Sequence, residues 1–347
     1  MKRESNIELL RIVAMLLVLL LHANYFSLGD VKLADVERFP LNSFCKAFAE
    51  QLCIICVNVF VLISGWFGIK PSLRGGLSLL FQVYFFHGLI VLFYLCIGIT
   101  VPLRTIIIGF YFGRPYWFII AYFILYAISP ILNAFIQIAN PRTFLSVLAS
   151  FFIMEFAYGW ITDVAAFNGG YTAISFVGLY LLAQFIRKYS CRLLKIGVFV
   201  NLLFYVLLSI LPVILFFLSK HKFNMIAYSS PFVIMASLFF FLAFNKMKIS
   251  NKAINYLACS SLSIYLVHLH PLISEHFIFL MNLAYNTLGG FSYVLFVFIF
   301  AICFGLFCIL LDKIRILLWS FLCKSFLDSA LCRFQVYIDR IYTRLNF

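Results

Sequence analysis

Apolar runs of roughly twenty residues, separated by short polar clusters, recur along the whole chain. A run of that length spans the bilayer hydrocarbon as a helix, so the pattern predicts an all-α membrane protein. Ten spans are expected, at 6–28, 45–68, 77–99, 116–138, 144–161, 171–187, 196–218, 227–246, 254–281 and 291–318. Several exceed about 20 residues, which implies tilt or overhang. Beyond them, Leu327, Leu331, Phe334, Ile338, Ile341 and Leu345 recur at alternating four- and three-residue steps, with Arg333, Arg340 and Arg344 around the remainder. That stripe predicts an amphipathic C-terminal helix on the inner membrane surface. No linker, low-complexity block or internal repeat interrupts the chain. Residues 1–318 therefore read as one transmembrane bundle and 319–347 as a cytoplasmic tail helix.

Composition sharpens this picture. The 347 residues are 65% hydrophobic and only 11% charged, with a mean hydropathy of +1.08; a soluble domain of that length is excluded. The net charge of +14 is explained by topology. With the N-terminus inside and ten spans, inner segments hold Lys2, Arg3, Lys70, Arg74, Arg142, Arg187, Lys188, Arg192, Lys195, Lys246, Lys248, Lys252 and the six tail basics from Lys313 to Arg344. Outer segments hold only Lys32, Arg38, Lys46, Arg104, Arg114, Lys220 and Lys222. The bias places both termini in the cytoplasm of an inner-membrane protein. It directs the positive face to anionic lipid headgroups and away from any nucleic-acid role. The first span resembles a signal peptide but lacks a small-x-small cleavage site, and it reads as a retained anchor. The ten cysteines lie mostly inside spans, without a second pair to complete a zinc site beside Cys53 and Cys56.

The chemistry concentrates in the opening span. Ten uncharged residues separate Arg11 from His22, almost three helical turns, so both fall on one face about 16 Å apart along the axis. Glu8 shares that face and offers Arg11 a local partner. Ionisable groups inside a span point by default to a functional path, and the two are expected to look into one hollow. In the ninth span His268 and His270 should reach the depth of His22, near the outer leaflet. An imidazole there can act as a general base; the alternative for each is a buried histidine bonded to a neighbouring helix. His87 and His276 read as structural. No metal is expected.

These residues carry a resemblance. Asn6-Ile7-Glu8-Leu9-Leu10-Arg11 with its spacing to His22, Phe60-Val61-Leu62-Ile63-Ser64-Gly65, Trp117-Phe118-Ile119-Ile120-Ala121-Tyr122 through Ser129-Pro130, and Ser263-Ile264-Tyr265-Leu266-Val267-His268 appear in the order seen in the integral-membrane acyltransferase family 3 proteins. The chain resembles that family from its first span to its ninth. It departs where some members carry an arginine pair near the third helix; Lys70 and Arg74 stand there instead. The resemblance implies acetyl-CoA or another acyl-CoA as donor and a glycan, or lipid-linked glycan, hydroxyl as acceptor. His22 would be the base, with Arg11 drawing in the donor and Glu8 beside it. Ser64, Lys70, Arg74, Tyr116, Trp117, Asn133, Tyr265, His268 and His270 are the expected acyl-CoA and acceptor cavity residues. A glycan transporter or flippase is the rival reading, since polar residues also line transport paths. A polymerase or ligase would need a larger outer loop.

Overall fold

The computed structural model describes residues 4–110, 116–189, 192–219 and 225–323. Among the described residues every regular element is helical: α1 (Ser5–Leu21), α2 (Leu33–Arg38), α3 (Pro40–Cys53), α4 (Cys56–Phe67), α5 (Leu73–Cys96), α6 (Leu103–Phe110), α7 (Trp117–Ile138), α8 (Pro141–Met154), α9 (Ala173–Lys188), α10 (Val198–Leu218), α11 (Pro231–Lys246), α12 (Lys252–Ala258), α13 (Leu262–His268), α14 (Pro271–Leu288) and α15 (Gly290–Leu322). Local sequence fixes several starts. Pro141, Pro231 and Pro271 each open a helix, at the position where a missing N–H leaves no bond unmade. Ser72, Asn140 and Asn251 accept hydrogen bonds from the first-turn N–H groups of α5, α8 and α12.

The all-α membrane class holds. Seven helical stretches are long and apolar enough to cross a bilayer, and an eighth qualifies if α12–α13 and α14, bent by 84°, form one broken span. Ten were expected. The segments at 171–187 and 227–246 are the 16-residue helices α9 and α11, about 24 Å long against a hydrocarbon core of about 30 Å. The expected tail helix at 327–345 lies outside the described residues, and α15 runs on past 318 to Leu322.

α1 is the hub, packing against α3, α4, α11, α13 and α15. Its first turn is clamped by polar side chains. Asn6 Nδ2 donates to the Phe244 carbonyl at 3.0 Å, capping the end of α11, and Ser5 Oγ accepts from Asn251 N–H at 3.0 Å. α4 lies so close to α9 that a Cβ on Gly65 would stand 2.7 Å from the Tyr180 carbonyl oxygen, the close approach that a small residue permits. A buried ion pair on α15 is bidentate: Arg315 Nε and Nη2 donate to the Asp312 carboxylate at 2.7 and 2.8 Å, and Gln82 of α5 adds a third donor at 3.1 Å. A buried charge pair persists only when its hydrogen-bonding capacity is met in this way.

Candidate functional site

At the end of α1 the helix widens into one π-helical turn, His22–Phe26. Such a turn inserts an extra residue and frees carbonyls, and it recurs at functional sites; here Ser27 Oγ donates to the His22 carbonyl at 2.9 Å. The His22 ring meets a second ring. Its Nδ1 lies 2.8 Å from Nε2 of His268, 246 positions along the chain. His268 is the last residue of α13, at the break before α14, and is fully buried. Its Nδ1 lies 2.6 Å from the Ile264 carbonyl oxygen. Irregular backbone at membrane depth is tolerated where it is buried in protein or lines a cavity, and Leu269, within this break, does line one.

That cavity has a volume of about 360 Å³. Met15 and Val18 face it from α1, His22 from the π-helical turn, Ile54, Val57 and Phe60 from the α3–α4 segment, and Trp117 and Phe118 from α7. Tyr265 faces it from α13, and Tyr171 and Tyr228 from two loops. The walls are aromatic and in mutual contact: ring centroids lie 4.6 Å apart for Trp117–Tyr171, 4.8 Å for Tyr171–Tyr228 and 5.8 Å for Phe118–Tyr265. The two loops are stitched together. Ser229 N–H donates to the Gly169 carbonyl at 3.1 Å, Ser229 Oγ donates to the Gly159 carbonyl at 2.7 Å, and Asn58 Nδ2 donates to the Tyr228 carbonyl at 2.9 Å. Gly170 permits this join: its φ is +92°, and a Cβ there would stand 2.6 Å from Ser229 N.

The residues singled out from sequence do not all gather at this cavity. His22, Trp117 and Tyr265 line the cavity, and His268 is bonded to His22. Arg11 does not line it. It sits one turn below Met15 on the same face, half-exposed, with Nη1 3.2 Å from Glu8 Oε1, so the expected common hollow contains the imidazole but not the guanidinium. The remaining polar residues act as braces. Tyr116 donates to the Leu266 carbonyl at 3.0 Å and pins α13; Asn133 donates to the Ile69 carbonyl at 2.8 Å and accepts from Tyr180 at 2.6 Å; Ser64 Oγ donates to the Phe60 carbonyl at 3.0 Å. Lys70 and Arg74 are exposed in or near the α4–α5 loop.

His270 does not join His22. It belongs to a second pair, with its Nε2 2.9 Å from Nδ1 of His87. The 84° bend between α13 and α14 turns residues two apart toward different neighbours. Tyr25, Phe26, Tyr171, Tyr228 and Ser274 also line the cavity without having been singled out from sequence; aromatic clustering at the ends of apolar runs was a signal for the first four, and Ser274 had none. Among the described residues no three His, Cys, Asp or Glu side chains gather to hold a metal ion.

The described residues form a helical membrane bundle in which a paired imidazole opens onto an aromatic cavity, the concave and mostly apolar kind of surface at which small ligands bind. The chain matches the family model of an acyltransferase domain over residues 4–312, nearly its full length, and it belongs to that family, acyltransferase family 3. No curated protein and no solved structure matches it.

Proposed function

We propose that this protein is a membrane O-acyltransferase of the cell envelope. It moves an acetyl or other acyl group from cytoplasmic acyl-CoA to a hydroxyl of a cell-surface polysaccharide or its lipid-linked precursor. The observation that carries this reading is the His22 ring on the wall of an aromatic cavity within an acyltransferase-family chain. His22 takes the proton of the acceptor hydroxyl as its oxygen attacks the thioester carbonyl. The C–S bond breaks, and the departing sulfur takes the proton back from His22. The aromatic walls supply stacking surface for a sugar ring, and the scarcity of polar lining shields the thioester from water.

The donor's phosphates cannot enter lipid and belong at the opposite end of α1. Trp66, near the end of α4, packs on Phe241 with ring centroids 5.3 Å apart, one turn before Phe244, whose carbonyl accepts from Asn6 of α1, so Lys70 in the loop that follows and Arg74 at the start of α5 lie at the Arg11 end of the bundle. Arg11 there suits a phosphate or the pantetheine amides. An aromatic cavity could also bind the sugar rings of a carried glycan, but an acyltransferase family favours chemistry over carriage.

Membranes containing the chain and its host glycans, given acetyl-CoA labelled in the acetyl group, should place label in the extracted glycan. His22→Gln at equal membrane level should not. Undiminished labelling by that variant overturns the mechanism, and a glycan lost or shortened on deletion, without loss of acetyl, favours the carrier.

A further inference from the structure

We propose that His268 is a positioning residue that holds His22 in the tautomer protonated on Nδ1, leaving Nε2 as the free base. This rests on His22 being the base of the proposed transfer, and it adds what sets that base. The starting point is a backbone carbonyl. A carbonyl oxygen only accepts, so the 2.6 Å contact of the Ile264 oxygen with His268 Nδ1 requires the hydrogen to be on that nitrogen. A neutral imidazole protonated on Nδ1 has a bare Nε2, which can only accept. The atom 2.8 Å from it is His22 Nδ1, which must therefore donate. Neutral His22 is left with an unprotonated Nε2. No hydrogen bond from a described residue engages that nitrogen, and the His22 ring lines the cavity. One carbonyl thus sets two rings in sequence, as the partner of a ligand or catalytic histidine commonly sets its tautomer.

His268 touches neither donor nor acceptor in this arrangement. When Nε2 of His22 receives the acceptor proton, the Nδ1–H of the resulting imidazolium stays bonded to His268, so the ring does not rotate away. Nε2 then returns its proton to the leaving sulfur, and both rings end in the tautomers they began with.

The full-length chain labelled with ¹⁵N-histidine in lipid nanodiscs tests this directly, since imidazole nitrogen shifts distinguish protonated from bare positions. The His22 signals are those lost in His22→Gln. The expected result is Nδ1 protonated and Nε2 bare. His268→Leu should convert His22 to a tautomer mixture and lower kcat for labelled-acetyl transfer by about 10²-fold, with the acetyl-CoA KM within about threefold, because a misplaced base proton removes base catalysis without removing binding. His268→Gln, whose amide oxygen can accept from His22 Nδ1, should restore most of that loss. A wild-type His22 protonated on Nε2 overturns the proposal, as does a His268→Leu protein whose His22 tautomer and kcat match wild type. If His268→Leu does not fold, the wild-type spectrum alone decides. The expected tautomer together with a fully active His22→Gln would refute the functional reading and leave the ring assignment standing. The wrong tautomer with an inactive His22→Gln would do the reverse.

Discussion

Two histidine pairs flank the break between α13 and α14, and they differ in where their hydrogen bonds run out. In the His87–His270 pair, Leu272 N–H donates to His270 Nδ1 at 3.2 Å, so His270 must donate from Nε2 to His87 Nδ1 at 2.9 Å. His87 in turn meets the Ile106 carbonyl through Nε2 at 3.0 Å. All four ring nitrogens have partners. In the His22–His268 pair three have partners, and the fourth belongs to the ring that lines the cavity. Residue types and ring–ring distances are nearly the same in the two pairs, yet one is a closed brace and the other ends in an unused lone pair. On the proposed mechanism, reactive capacity lies in that remainder, and the pairing by itself does not confer it.

The contrast can be broken or sharpened by mutation. The largest effect is expected at the open pair: His22→Gln should cut labelled-acetyl transfer by about 10³-fold or more while thermal unfolding stays close to wild type. Next comes the closed pair. His87→Leu strands a buried partner and should destabilise by about 1–3 kcal/mol, read as a lower melting temperature, with transfer per folded molecule within about threefold of wild type. Removing both rings, in His87→Leu/His270→Leu, should recover part of that stability because no buried ring nitrogen is left unpaired, although the Leu272 N–H and the Ile106 carbonyl still lose their partners; a further fall would mean the pair does more than brace. Arg11→Gln leaves the cavity intact and should raise the acetyl-CoA KM about tenfold, the worth of one charge-assisted contact, with kcat little changed. The smallest effect is expected at Ser64→Ala, whose hydroxyl already bonds within its own helix: less than about 1 kcal/mol in stability and no change in transfer. Loss of transfer there would move Ser64 from brace to substrate contact.

That His22 lies at a cavity was legible in the sequence because an ionisable ring at the end of a long apolar run has few bland explanations. The helical class was legible for the same reason of length and apolarity. What could not be read was which intramembrane polar groups are spent on backbone. Tyr116, Asn133 and Ser64 looked like liners, yet each satisfies a backbone carbonyl, of α13, of the α4–α5 loop and of α4 respectively, and a braced residue has the same sequence signature as a lining one. The His22–His268 contact spans 246 positions, and no local periodicity encodes it. The direction of His270 depended on an 84° bend that an unbroken-span reading replaces with a straight helix. Tyr171 and Tyr228 come from loops, where spacing carries no facing information.

The partner of His22 is an imidazole where many hydrolytic sites use a carboxylate, and this bears on how the protein enters its membrane. An aspartate at the centre of a span adds about 2.5–3.5 kcal/mol to insertion, whereas neutral rings on α1 and α13 bring no formal charge of their own into the translocation machinery. Each segment can thus be delivered to lipid before its counterpart has been synthesised, and the proposed base gains its partner only when the two, nearly 250 residues apart, finally meet.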